Sequence, residues 1–217
     1  MKYNAVLFDL DGTLVDSQQD IYESVAMALK DCGIAATLRD LEHLRGAHLS
    51  LVLAHFRNVD PAKLDKDDLT KFADRYRQYY MQKMFDNTVL FPGVIETLDR
   101  LSAIRKGVAT SKPIQYAMRL IEHFDLKKYF EVIQGCENLP PKPDPAVFLE
   151  AAEKMAVSPG CCLAVGDTSL DILSAGKAGC STCLIRYDTV STTELPPGVK
   201  PDYIIRKFEE IETIINK

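Results

Sequence analysis

From residue 91 onward, short apolar runs alternate with helical periodicity, and that alternation leaves few folds open. The runs are "GVAT" at 107–110, "YFEVIQG" at 129–135, "CCLAVGD" at 161–167, "TCLIRY" at 182–187 and "DYIIR" at 202–206. Between the first of them and "FPG" at 91–93, Ile95, Leu98 and Leu101 keep helical spacing. Short strands that are apolar throughout, with helices between them, indicate a parallel α/β sheet covered on both faces. "AVLFDL" at 5–10 reads as one more buried strand of that sheet.

The intervening stretch has a different character. In "DIYESVAMALKDCG", Ile21, Val25, Ala28 and Leu29 share one helical face, with Asp16 or Ser17 as the cap and Gly33 as the stop. A second long helix is expected over 65–84, where Leu69, Phe72, Ala73, Tyr76, Tyr79 and Tyr80 follow helical spacing. The expected organisation is an α/β core of residues 1–16 plus 89–217. A wholly helical insert, 17–88, interrupts it, with hinges near 16 and 89.

Bulk composition narrows the class. A chain of 217 residues suits one domain with a smaller insert, and 47% apolar with 26% charged residues is ordinary for a soluble globular protein. A net charge of −5 speaks against a nucleic-acid partner, which usually demands a basic face. No apolar run approaches the roughly 20 residues of a membrane span, and the start of the chain shows no cleavable signal pattern. Six scattered cysteines then suit a reducing cytoplasm. Cys180 and Cys183 form one CxxC without the further ligands a zinc site needs, so they read as thiols buried on a strand.

Ligands of an open parallel sheet sit beyond the carboxyl ends of its strands. At those ends the chain puts Asp9 and Asp11, then Thr110 and Ser111, then Asp167, while Lys142 stands in the stiff loop "LPPKPDP". Taken singly, each has a bland reading. An aspartate after a strand is usually a helix cap or turn former, Asp171 is a first-turn acid favoured by the helix dipole, and a lone lysine is a solvated charge. Recurrence at one sheet edge changes the balance. Clustered carboxylates raise one another's pKa unless a cation sits among them, and Mg²⁺ takes such hard oxygen ligands. Hydroxyls, backbone N–H groups and an ammonium are what phosphate oxygens need. One aspartate can attack phosphorus while another transfers the proton. "SAGKAG" at 174–179 lacks the spacing and hydroxyl of a P-loop.

Four of these segments, "DLDGTLVDS", "GVATSK", "PPKPDPAVF" and "VGDTSLD", stand in the order and spacing of a known pattern. Over essentially its full length the chain resembles the haloacid dehalogenase-like (HAD) superfamily, most closely its phosphoglycolate phosphatase branch. The resemblance implies a Rossmann-like core with an inserted α-helical cap. It implies Asp9 as nucleophile and metal ligand, and Asp11 as general acid/base with its carbonyl on the metal. Thr110, Ser111 and Lys142 would hold the phosphoryl group. Asp167 would complete a Mg²⁺ site, Asp171 would support it or serve as an alternate ligand, and Thr13 would buttress the loop.

Asp11 sets the chain apart from dehalogenases, which lack the second aspartate, and from the superfamily's transport ATPases, which carry threonine there. Sugar phosphomutases share all four motifs but usually show a histidine soon after the first, where this chain has "DSQQDIY". The implied activity is Mg²⁺-dependent hydrolysis of a small phosphorylated metabolite resembling phosphoglycolate. A phosphomutase or pyrophosphatase on the same scaffold is the alternative, and a catalytically inactive binding protein the third reading. A monomer or homodimer in the cytoplasm is expected. In the insert, "HLRGAHLSL" at 43–51 breaks the helical pattern, making Arg45 and His48 the candidates for substrate specificity. Arg45 suits a bidentate grip on a carboxylate and equally a solvated charge.

Overall fold

The computed structural model describes residues 2–188 and 195–216. In chain order its elements begin with strand β1 (Ala5–Phe8), β2 (Val15–Asp16), helix α1 (Gln18–Asp31), α2 (Leu38–Leu41), α3 (Leu49–Arg57) and α4 (Lys66–Lys83). They continue with β3 (Val89–Leu90), α5 (Val94–Arg100), β4 (Arg105–Ala109), α6 (Ile114–His123), β5 (Val132–Gln134) and α7 (Ala146–Lys154). Last come β6 (Cys162–Gly166), α8 (Ser169–Ala178), β7 (Ser181–Ile185), β8 (Tyr203–Ile205) and α9 (Glu210–Ile215). The chain divides into two compact units, Met1–Asp16 with Leu90–Lys217, and Ser17–Val89.

The first unit is an α/β fold around a six-stranded sheet of order β5-β4-β1-β6-β7-β8. Every pairing in it is parallel. β1 lies at the centre because it can afford to be apolar on both faces: Ala5, Val6, Leu7 and Phe8 are all fully buried. Their alternation sends Ala5 and Leu7 into a cluster with Val147, Phe148 and Ala151 of α7 and Ala175 of α8. On the other face Phe8 stacks on Phe208, ring centroids 5.5 Å apart. Phe8 is registered with Val108 of β4 and Val165 of β6, so all three strands end at one level. The six cysteines are free thiols, and burial pushes that of Cys183 up to about 12.

Close approach at this edge depends on one missing side chain. A Cβ on Gly166, the last residue of β6, would lie 2.3 Å from Cβ of Asp171 in the first turn of α8. Real Cβ atoms never come so near, so glycine is what lets the helix start directly behind the strand.

The second unit consists of helices joined by loops, with Val89 of β3 as its last residue. α1 packs along α4, burying Val25, Ala28 and Leu29 with Phe72, Leu41, Val52 and Leu53. Asp65 caps α4 by accepting from the N–H groups of Asp67 and Asp68, both at 2.9 Å. Within this unit a fully buried carboxylate, Asp20 of α1, gathers the segment 87–88. It accepts from the backbone N–H groups of Asn87 (3.0 Å) and Thr88 (2.9 Å), and from Asn87 Nδ2 (2.9 Å) and Thr88 Oγ1 (2.7 Å). Among the described residues no helix is long and apolar enough to cross a membrane.

Two substitutions test these contacts. Asp20→Ala leaves those donors buried without their acceptor, and a loss of about 3 kcal/mol is expected in chemical denaturation; a loss under about 1 kcal/mol would contradict this packing. Gly166→Ala forces α8 away from β6 and is expected to cost about 1–3 kcal/mol; unchanged stability would show that the close approach is not required.

Candidate active site

The carboxyl ends of β1, β4 and β6 carry the polar residues that the apolar strands deliver. Asp9 follows β1, and its N–H donates to Val165 O at 2.8 Å, which extends the ladder to the last possible residue. Beyond it the chain folds back tightly. Gly12, at φ +86°, donates its N–H to Val15 O at 2.7 Å, and Leu14 donates to Leu10 O. A left-handed φ of this kind favours glycine. Thr110 follows β4, donating its N–H to Gln134 O at 2.9 Å, and Asp167 follows β6.

Lys142 ties the edge together. Its buried ammonium donates to Asp9 Oδ1 at 2.7 Å, to Asp171 Oδ1 at 2.6 Å and to the carbonyl of Ala109 at 2.9 Å. All three of its protons therefore have protein acceptors. Burial alone would lower the lysine's pKa, but Asp171 and Asp9 outweigh it and hold it above the ordinary value. Burial raises Asp9 well above the usual carboxylate range; Lys142 opposes that rise, while Asp171 and Asp167 add to it. Burial acts the same way on Asp171, yet Lys142 and the bonds from Thr168 prevail and hold it low.

Asp171 does two jobs with two oxygens. Oδ2 accepts from Thr168 N (2.9 Å) and Thr168 Oγ1 (2.5 Å), forming the capping box of α8, while Oδ1 takes Lys142. Thr13 Oγ1 lies 3.4 Å from Asp167 Oδ1, and Tyr187, stacked face to face on Phe91, donates its O–H to the Thr13 carbonyl at 2.8 Å.

Oxygens of Asp9, Asp167 and Asp171 lie within 4.8 Å of one another, which makes them able to hold a metal ion. The set is all hard oxygen, the donor type that suits Mg²⁺, and its mutual repulsion is what a divalent cation would relieve. The Asp11 carboxylate points elsewhere: its Oδ2 lies 3.2 Å from Nζ of Lys112. Lys112 is a site residue that the sequence reading did not single out. Its signal was available in "TSK", which puts a cation two residues past Thr110 at the same strand end.

The second unit holds Arg45 and His48. Arg45 is half-buried in the turn before α3. His48 caps α3: its Nδ1 lies 2.9 Å from Ser50 Oγ and accepts from Ser50 N at 3.4 Å. His43 and His55, irregularly spaced in sequence, bring their Nε2 atoms to 3.4 Å of each other.

A sequence model of the haloacid dehalogenase-like hydrolase family matches residues 6–185. The chain is 34% identical over 219 residues to a candidate pyrophosphatase, PpaX, of Caldanaerobacter subterraneus subsp. tengcongensis, covering 99% of this chain and 96% of that one. It is 30% identical to the phosphoglycolate phosphatase of Pasteurella multocida, with 99% of each chain covered. The crystal structure of a predicted phosphoglycolate phosphatase from Haemophilus somnus 129PT superposes with a TM-score of 0.82 at 27% identity, over 99% of both chains. A buried lysine joining two aspartates at the carboxyl edge of a parallel sheet thus occurs in a chain that, by both sequence and fold, belongs to the haloacid dehalogenase-like hydrolases, in their phosphoglycolate phosphatase-like branch.

Proposed function

We propose that the protein hydrolyses a small phosphomonoester in two displacements through a phosphoaspartate at Asp9. The observation that carries this reading is the joint capture of Asp9 and Asp171 by Lys142 beside Asp167. A carboxylate clamped in this way has its direction of attack set before substrate arrives, which is where much of an enzyme's advantage lies.

An Asp9 oxygen bonds to phosphorus as the P–O bond to the leaving group breaks, and Asp11 supplies the proton that the leaving oxygen takes. Asp11 then removes a proton from water, whose oxygen attacks phosphorus and frees Asp9 and phosphate. Thr110, the Ser111 backbone and Lys142 hold the phosphoryl oxygens, Lys142 by trading one of its three protein acceptors. Asp9, the Asp11 carbonyl and Asp167 would hold Mg²⁺, with Asp171 in support and Thr13 bracing Asp167. Bound there, the ion supplies charge neutralisation for the phosphoryl oxygens among crowded carboxylates.

The helical unit, residues 17–88, is proposed to serve as a cap that excludes water, with Arg45 and His48 reading the leaving group. Phosphoglycolate is the first substrate to try, given the 30% identical phosphatase. Pyrophosphate is the second, given the 34% identical relative. Sugar-phosphate interconversion without phosphate release would instead mark a mutase. A monomer or homodimer working in the cytoplasm fits this role.

Phosphate release is expected from at least one small phosphorylated metabolite with Mg²⁺ present, and its loss in EDTA. Absence of release from every substrate, a generic aryl phosphate included, would end the phosphatase reading. Asp9→Asn is expected to lower kcat by at least roughly a thousand-fold with an unchanged circular dichroism spectrum; retained turnover would remove Asp9 as nucleophile.

A further inference from the structure

Lys112 is a second buried lysine at the same sheet edge, and the hydrolytic steps above give it no task. Only 8% of the residue is exposed, and its Nζ lies 3.2 Å from Asp11 Oδ2. The segment that carries it is fixed locally. The Lys112 N–H donates to Thr110 Oγ1 at 3.1 Å. Across from it, a Cβ on Gly135 would come 2.8 Å from the Lys112 carbonyl and 2.6 Å from the N–H nitrogen of Ile114, so glycine lets the two loops close on each other. An ammonium on a preset backbone beside a carboxylate is a built feature of the site.

Its position decides what it can reach. A general acid must come within hydrogen-bond reach of the oxygen it protonates, about 3 Å. Given the 3.2 Å between Lys112 Nζ and Asp11 Oδ2, the ammonium lies no more than about 8 Å from the leaving oxygen, whichever Asp11 oxygen carries the proton. Lys142 serves the opposite partners, Asp9 and Asp171. The two lysines thus divide the site: Lys142 faces Asp9 and Asp171, and Lys112 faces Asp11.

We propose that Lys112 is a specificity residue that pairs with an anionic group carried by the leaving group close to the ester oxygen. Such substrates are phosphomonoesters of short hydroxy acids, and pyrophosphate, whose second phosphate is attached directly. This rests on the phosphatase reading and on Asp11 as its acid. It selects against leaving groups that are neutral near the ester, such as simple alcohols, because they offer the ammonium no anion beyond Asp11.

The test compares kcat/KM for 2-phosphoglycolate with that for 2-hydroxyethyl phosphate, in which a hydroxymethyl group replaces the carboxylate. The wild-type ratio is expected to favour the acid by about ten-fold or more, and Lys112→Met to lower that ratio by about 10- to 100-fold, chiefly through KM. Lys112→Arg is expected to restore most of the ratio. Arg45→Met is measured in parallel, so that the cation of the helical unit is scored separately. Equal losses on both substrates in Lys112→Met, or a ratio that falls only in Arg45→Met, would overturn the proposal. If Lys112→Met does not fold, the wild-type ratio and Lys112→Gln decide: absence of a preference for the acid in the wild type overturns the proposal. Phenyl phosphate is the control. Its hydrolysis by the wild type keeps the phosphatase reading standing whatever Lys112 does, and its inertness along with every other substrate fails that reading first.

Discussion

The catalytic unit is organised around one buried ammonium. Lys142 reaches Asp9 after β1, the carbonyl of Ala109 at the end of β4, and Asp171 in the first turn of α8. Three separate pieces of chain are thereby held at one point. Removing one partner of a buried ion pair costs several kcal/mol because it strands the other charge. The same physics makes the cluster costly to assemble: burial drives Asp9 upward in pKa, and its neighbours Asp171 and Asp167 add to the effect. A fold that accepts this cost needs rigid mounts, which the fully buried β1 and its level ending with β4 and β6 supply.

The division of labour within Asp171 shows how structural and chemical roles share a side chain. One oxygen completes the capping box that starts α8, and the other fixes Lys142. Gly166 makes this feasible by letting the helix begin within 2.3 Å of where its own Cβ would stand. The motif "VGDTSLD" is therefore a packing solution as much as a list of carboxylates.

Much of this was legible beforehand, and the exceptions share a cause. Short apolar runs marked β1, β4, β6 and β7 because, past their first residues, these strands are buried throughout. The helices α1 and α4 followed from the spacing of Val25, Leu29, Phe72 and Tyr76. Asp9, Lys142 and Asp167 could be grouped because strand ends of a parallel sheet share an edge, and Asp171 joined them only through the motif "VGDTSLD". What escaped notice depended on chain segments meeting in space. Asp20 stands in the first turn of α1, and only its contacts with Asn87 and Thr88 reveal a clamp between residues 67 and 68 positions apart. Lys112 read as part of "GVATSK", and its pairing with Asp11 depends on the turn after β1. The contact of His43 with His55 likewise joins two different elements.

The central claim is that the Asp9 carboxylate, aimed by Lys142, becomes covalently phosphorylated. Acid quenching during steady-state turnover, followed by borohydride reduction and peptide mass spectrometry, tests it most directly, because borohydride converts an acyl phosphate into the alcohol. The account predicts homoserine at position 9, dependent on substrate and absent without it. Reduction at another carboxylate, or turnover with no reducible intermediate at any residue, would contradict it.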